Sequence, residues 1–257
     1  MQSVIRSRLE SALSERVPLP FTDLDRRVLE SVPTGIAPLD TLTGGLPRGA
    51  ITEIFGPPTS GRTSAMVSIL VEATAGDEVC ALVDGTDAFD PKSAAAAGLD
   101  LQRLLWVRCH KLDQVLKSTD LLLQGGGFGR VVMDLTDLPL PHVQSISLAS
   151  WFRFQRTIEK TPTALVVISS DSIVKSAAAL VLRMKTSGAE WSTLLDGLNL
   201  NIEVVRSRRP RSLKSHERSE CESDRAKPLT HERSEYAPDR AKPVTHVRVH
   251  LYSECIR

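Results

Sequence analysis

"ITEIFGPPTSGRTSAMVSIL", residues 51–70, decides the fold. A short apolar run at 51–55 meets a loop of glycine, proline, threonine and serine. The loop runs into a segment that places Ala65, Met66, Ile69, Leu70 and Ala73 on one helical face. Strand, glycine loop and helix, in that order, build a phosphate cradle: glycines permit unusual backbone dihedrals, amide N–H groups converge, and the helix N-terminus adds a positive dipole. The spacing G-x-x-x-x-G-K-[ST] is met at Gly56, Gly61 and Thr63, with Arg62 where lysine belongs. The candidate cradle is therefore Gly56, Pro57, Pro58, Thr59, Ser60, Gly61, Arg62, Thr63 and Ser64, and the Thr63 hydroxyl is a candidate magnesium ligand. A guanidinium is wider and flatter than an ammonium, so Arg62 can hold phosphate oxygens but fits a transition state less well. A tight turn that merely packs helix against sheet remains the alternative at this point.

Strands and helices alternate outward from this stretch. Strands are expected at 79–85, 103–109, 130–135 and 164–170, and helices from Pro91, over 111–124 and over 144–159. The strands are short, continuous and apolar, as in a parallel sheet covered by helices on both faces. After Ser170 the helices largely disappear, and 178–185, 198–209 and 245–253 read as strands. The expected fold is α/β, a mainly parallel sheet flanked by helices with an antiparallel C-terminal extension. Upstream, Ile5, Leu9 and Leu13 mark a helix over 3–15, ended by Pro18 and Pro20.

One segment breaks the pattern. "HERSECESDRAKPLT" (216–230) is followed at once by "HERSEYAPDRAKPVT" (231–245), and both copies are polar, charged and closed by proline. A unit that buries so little has no face on which to stack as a solenoid, so a disordered surface insertion is expected. The chain divides into an N-terminal helix and linker at 1–30, a core at 31–210, the insertion at 211–245 and a final core strand at 246–257.

Apolar residues make up 41 % of the 257 and the formal net charge is +1, which leaves room for a sizeable core and makes any nucleic-acid contact a local patch. Cys80, Cys109, Cys221 and Cys255 lie far apart and read as reduced thiols, and the six histidines show no metal spacing. No apolar run reaches the roughly 18 residues of a membrane span, so a soluble cytoplasmic protein is expected. "GGGFG" (125–129) precedes a strand and reads as a flexible loop, not as a dinucleotide fingerprint.

The stretch "TGIAPLDTLTGGLPRGAITEIFGPPTSGRTS" (34–64) resembles the opening of the bacterial RecA recombinase core, a P-loop NTPase fold. "ALVDGTDAFDP" (81–91) looks like the segment that follows it in RecA, and "RVVMDL" (130–135) like its Walker B strand, with Asp134 the metal-side carboxylate. "IEVVRSRRP" (202–210) and "VRVHLYS" (247–253) look like the last strands of that core. The resemblance implies ATP and Mg2+ as cofactors, with Thr63 and Asp134 on the metal. It also implies three departures. Arg62 replaces the lysine, Thr86 stands where the catalytic glutamate positions water, and Ser93 stands where an aromatic ring stacks on adenine. These changes argue for nucleotide binding with little or no hydrolysis and for no catalytic residue.

The connections that carry DNA in RecA are short here, "TDLPLPHVQS" (136–145) and "SDSIVKSA" (170–177), with Lys175 the lone basic residue of the second. Strand exchange needs several backbone contacts and stacking side chains per protomer, which these loops do not offer. A basic run supplies Arg206, Arg208, Arg209 and Arg211. It reads as a solvated strand end, as a weak single-stranded DNA contact, or, by resemblance, as residues reaching a neighbour's nucleotide site in a homo-oligomer. "AAAAGLDLQRLLWVRC" (94–109) resembles the ImuA type of RecA-like accessory protein, which acts with a polymerase-like partner and an error-prone polymerase in damage-induced mutagenesis. The expected role is therefore a DNA-repair accessory of translesion synthesis within the SOS response. An active DNA-dependent ATPase of recombination and a nucleotide-free scaffold are the two alternatives.

Overall fold

A computed structural model describes residues 30–191, 195–208 and 246–249. The expected helix at 3–15, the repeat at 216–245, Arg209, Arg211, Cys221 and Cys255 lie outside the described residues. A two-stranded antiparallel unit opens the described chain: β1 (Ser31–Val32) pairs with β2 (Leu46–Pro47) around helix α1 (Ala37–Thr43). The Thr34 N–H donates to Asp40 Oδ1 at 2.8 Å, and Gly44 ends α1 in the left-handed conformation.

The remaining strands form one eight-stranded sheet. In chain order they are β3 (Ile51–Phe55), β4 (Cys80–Asp84), β5 (Leu104–Arg108), β6 (Arg130–Asp134), β7 (Ala164–Ser169), β8 (Leu180–Trp191), β9 (Leu195–Ser207) and β10 (His246–Val249). Across the sheet the order is β10-β9-β8-β3-β7-β6-β4-β5. Every pair from β8 to β5 is parallel, while β8–β9 and β9–β10 are antiparallel, so the meander sits at one edge as the sequence implied. β3, β4, β6 and β7 are buried along their whole length, which is why apolar residues dominate them.

Helices α2 (Arg62–Ala75), α3 (Pro91–Ala96), α4 (Leu112–Gly125), α5 (Leu140–Gln144) and α6 (Leu148–Ile158) complete the described elements, with 3₁₀ turns at Leu101–Arg103 and Lys175–Ala177. The core is split in two by the sheet. On one face Met66, Ile69 and Leu70 of α2 pack against Ile54, Leu82, Val132 and Val166; on the other, Trp151, Phe154 and Ile158 of α6 pack against Val83, Val131, Met133 and Val167.

One expectation needs correction. The single helix expected over 144–159 is two helices, because Ser147 adopts extended dihedrals and its hydroxyl accepts from the Ser150 N–H at 3.1 Å, starting α6 afresh. Trp151, Phe154 and Ile158 bury one face of α6, and that cap fixes where the helix begins. The strand expected over 178–185 also runs on to Trp191, since β8 continues pairing with β9 beyond the sheet's parallel part.

One arginine that no sequence pattern singled out ties three elements together. Arg130 opens β6 and is 2 % exposed. Its Nη1 donates to the Ile69 carbonyl at 2.8 Å and its Nη2 to the Pro33 carbonyl at 2.9 Å, with Glu78 nearby at 3.9 Å. It ties α2, the opening segment and the sheet together, and the backbone carbonyls satisfy a charge that would otherwise be costly to bury.

Candidate phosphate-binding site

β3 ends at the carboxyl edge of the sheet and Gly56–Ser60 form the loop into α2. The Ser60 N–H donates to the Pro57 carbonyl at 3.3 Å, which closes the loop as a turn. Thr59 has φ +63° and Gly61 φ +82°, both left-handed. At Gly56 a Cβ would run into the Met184 carbonyl of β8 and Ser60 Oγ, so only glycine fits. The loop leaves the backbone N–H groups of Thr59, Gly61, Arg62, Thr63 and Ser64 without a hydrogen-bond acceptor among the described residues, and the first capped bond of the helix is Ala65 N–H to Gly61 O at 2.9 Å. Ser60 is buried and its hydroxyl finds no partner. Pro57, Pro58, Thr59 and Thr63 are exposed.

The hairpin of β8 and β9 leans on this loop. The Thr186 hydroxyl donates to the Thr59 carbonyl, and a Cβ on Gly61 would lie 2.6 Å from Leu200 Cδ1. The sequence placed these strands at the sheet edge; that they brace the cradle is a tertiary fact.

Arg62 behaves differently from the other cradle residues. It is 4 % exposed and its Nη1 donates to the Ser169 carbonyl at the end of β7. Burial pushes its basicity down, opposed by the carboxylates of Asp134 and Asp137. Asp134, at the end of β6, is itself 7 % exposed, and burial pushes its carboxyl up although Thr136 donates to Oδ1 at 3.0 Å; Asp84 and Asp137 push the same way. Burial disfavours the charged form of this carboxyl, and a divalent cation or a guanidinium beside it would favour that form.

The turn after β4 carries Thr86 and Asp87. Asp84 is fully buried and accepts five N–H groups: Thr86, Asp87 and Ala88 at Oδ1 (3.1, 2.8 and 3.3 Å), and Phe89 and the Trp106 indole at Oδ2 (3.1 and 3.3 Å). This knot folds 85–89 back on the strand, sets Asp87 at φ +59° and turns its carboxylate to Arg108 of β5. The Arg108 hydrogen bond holds the Asp87 carboxyl below its usual range, which makes it a poor base. Arg108 also lies 5.1 Å above the Trp106 ring. Thr86 presents only a buried hydroxyl without a partner. Ser93 is spent on a cap, its hydroxyl donating to Asp90 Oδ2 at 2.5 Å.

Two further sequence-selected residues lie away from the cradle. Arg206 and Arg208 donate through Nη2 to the carbonyls of Lys175 and Ser176. Glu53, which sequence reading used only as a matching letter, is fully buried on β3 and receives the Ile173 and Val174 N–H groups at Oε1 (2.6 and 2.9 Å) and the Ser172 hydroxyl at Oε2 (2.9 Å). Among the described residues no cluster of three or more His, Cys, Asp or Glu residues is arranged to hold a metal, and no helix is long and apolar enough to cross a membrane.

A family model described as the RecA N-terminal domain matches residues 8–144. Similar proteins include Protein RecA of Symbiobacterium thermophilum, 37 % identical over 123 residues (47 % of this chain, 35 % of that protein), and Protein RecA of Brucella anthropi, 40 % identical over 108 residues (41 % and 30 %). Protein RecA of Thermus aquaticus is 31 % identical over 138 residues, 53 % of this chain and 41 % of that protein. The chain therefore spans well under half the length of these curated relatives.

Proposed function

Because this chain belongs to the RecA family, by a match to more than half of its length, we propose that it binds ATP with Mg2+ in the cradle Gly56–Ser64 and turns it over slowly or not at all. One observation carries the reading: among the described residues, five backbone N–H groups at 59 and 61–64 and the buried Ser60 hydroxyl have no partner, in a loop whose close approach to β8 only glycine at 56 allows. Such a run of free donors, at the N-terminus of a fourteen-residue helix, suits phosphate oxygens. Thr63 and Asp134 would hold the cation, which would supply charge neutralisation between the phosphates. Arg62 retains N–H groups besides the one given to Ser169, so it can meet a phosphate without leaving that carbonyl.

Weak turnover follows from what the protein's own residues do. Thr86 has no carboxylate, and Asp87 is pinned to Arg108 with its pKa lowered, so neither of these two residues is poised to take a proton from water. Titration calorimetry with ATP and Mg2+, alongside a phosphate-release assay, tests this. Binding without release supports the reading. Release stimulated by single-stranded DNA supports a recombination ATPase, and absence of binding supports a nucleotide-free scaffold.

The cellular role we infer is that of a DNA-repair accessory in the cytoplasm, acting beside a polymerase-like partner in translesion synthesis during the SOS response. The resemblance of 94–109 and the altered cleavage groups support it. The core is taken as 31–210 with 246–257, and 1–30 and 211–245 as appended helix and insertion. Arg206 and Arg208 serve a neighbour's site, or single-stranded DNA, only if they let go of Lys175 and Ser176; Arg209 and Arg211 extend that basic run. Pull-down of a polymerase-like protein from damaged cells tests the role, and its absence there, with recovery of recombination proteins, would overturn it.

A further inference from the structure

We propose that the segment 169–177 after β7 is held in one conformation by the protein itself, and that Arg62 and Glu53 are the positioning residues that hold it whether or not the phosphate cradle is filled. The second half of this proposal rests on the nucleotide reading above; the first does not.

The segment is tied from three elements. From the first turn of α2, buried Arg62 donates to the Ser169 carbonyl. From β3, Glu53 gathers the Ser172 hydroxyl and the Ile173 and Val174 N–H groups into one carboxylate. From β9, Arg206 and Arg208 close on the Lys175 and Ser176 carbonyls, and the Arg208 N–H donates to Ala179 O at 2.9 Å. The segment adds its own bonds, Ser169 Oγ to Asp171 O at 2.7 Å and Ser172 N–H to Asp171 Oδ1 at 2.8 Å. Ile173, Val174, Ala177 and Ala178 are buried in the core.

Charged groups donate or accept in all three ties, and such bonds are about twice as strong as neutral ones. Lys175 sits at φ +54°, a conformation that persists in a lysine only where its surroundings over-determine it. Moving the segment would strand a fully buried carboxylate and a buried guanidinium, each costly when unpaired. A side chain in the lysine position that was free to follow a phosphate would pass occupancy on to the end of β7. Arg62 is already committed there, and filling the cradle therefore leaves Ser169 in place.

Amide hydrogen exchange on the full chain, with and without ATP and Mg2+, tests this. In the ligand-free protein the Ile173, Val174 and Ala177 amides are expected to exchange slowly. The double variant Arg206→Ala/Arg208→Ala is expected to speed exchange at 173–178 by about tenfold, with the β4 amides unchanged. Glu53→Ala is expected to do the same, and Glu53→Gln, which keeps the acceptor oxygen, to do so less. ATP and Mg2+ are expected to protect 59–64 and to change 173–178 by less than about twofold. Variants that leave 173–178 unchanged would overturn the tethering. Protection at 59–64 accompanied by a change at 173–178 above about threefold would overturn its independence from the ligand. No protection at 59–64 would remove the nucleotide reading instead, and the ligand-free variants alone would then decide the tethering.

Discussion

Asp84→Asn separates a structural carboxylate from a chemical one. Asp84 is fully buried and its two oxygens receive five N–H groups, three on Oδ1 and two on Oδ2. Asparagine keeps one oxygen for the Thr86, Asp87 and Ala88 N–H groups but turns an NH2 toward the Phe89 N–H and the Trp106 indole. The flipped amide is worse, since it confronts three donors. Two buried donors left unpaired cost about 1–3 kcal/mol each, so the variant should lose roughly 2–6 kcal/mol. For a chain of this size the melting temperature should fall by roughly 2–4 °C for each of those kcal/mol. Guanidinium unfolding followed by far-UV circular dichroism measures it, with Asp87→Asn as the half-buried control, expected to lose no more than the small contribution of its ion pair with Arg108. A loss for Asp84→Asn no larger than that of the control would refute the claim that this carboxylate organises the turn at 85–89.

The other expectations concern the cradle. Arg62→Lys alone should leave phosphate release at background while Thr86 remains; release comparable to that of a recombinase from the single change would defeat our reading of the site. Burial holds the Asp134 carboxyl above its unfolded value near about 3.9, so its ionisation costs stability that is intact below that pH and lost as pH rises through the folded value. Asp134→Asn should therefore gain in melting temperature over the wild type as pH rises from 4 toward 7, with little difference at the acid end, while losing any stabilisation by Mg2+ with ATP; an equal difference at all pH values would contradict this. Gly61→Ala should lose about 1–3 kcal/mol to its left-handed backbone and its contact with Leu200, and Leu200→Ala in the same chain should relieve the contact but not the backbone strain, as denaturant midpoints would show.

Much of the fold was legible in the chain because buried parallel strands leave a one-dimensional trace. Val131–Met133 and Ala164–Ile168 are unbroken apolar runs since both faces are covered. The end of α6 was equally readable, but its start was not: a serine cap is one residue with many other uses, and the periodicity before it continues through Val143 and Ile146. The cradle was legible because glycine spacing is a local requirement of backbone dihedrals. Its neighbours were not, because Glu53 and Arg130 act on residues up to 121 positions away and carry no local signature.

The sequence by itself determined the alternation of elements, the glycine spacing of the loop at 56–64 and the arginine at 62 within it, all of which depend on residues adjacent along the chain. Only the tertiary structure decided where Arg62 points, that Asp87 is occupied by Arg108, and that the β8–β9 hairpin braces the loop. The reason is physical: a backbone conformation is chosen by near neighbours, whereas the partner of a buried charge is chosen by whichever distant strand the sheet brings beside it.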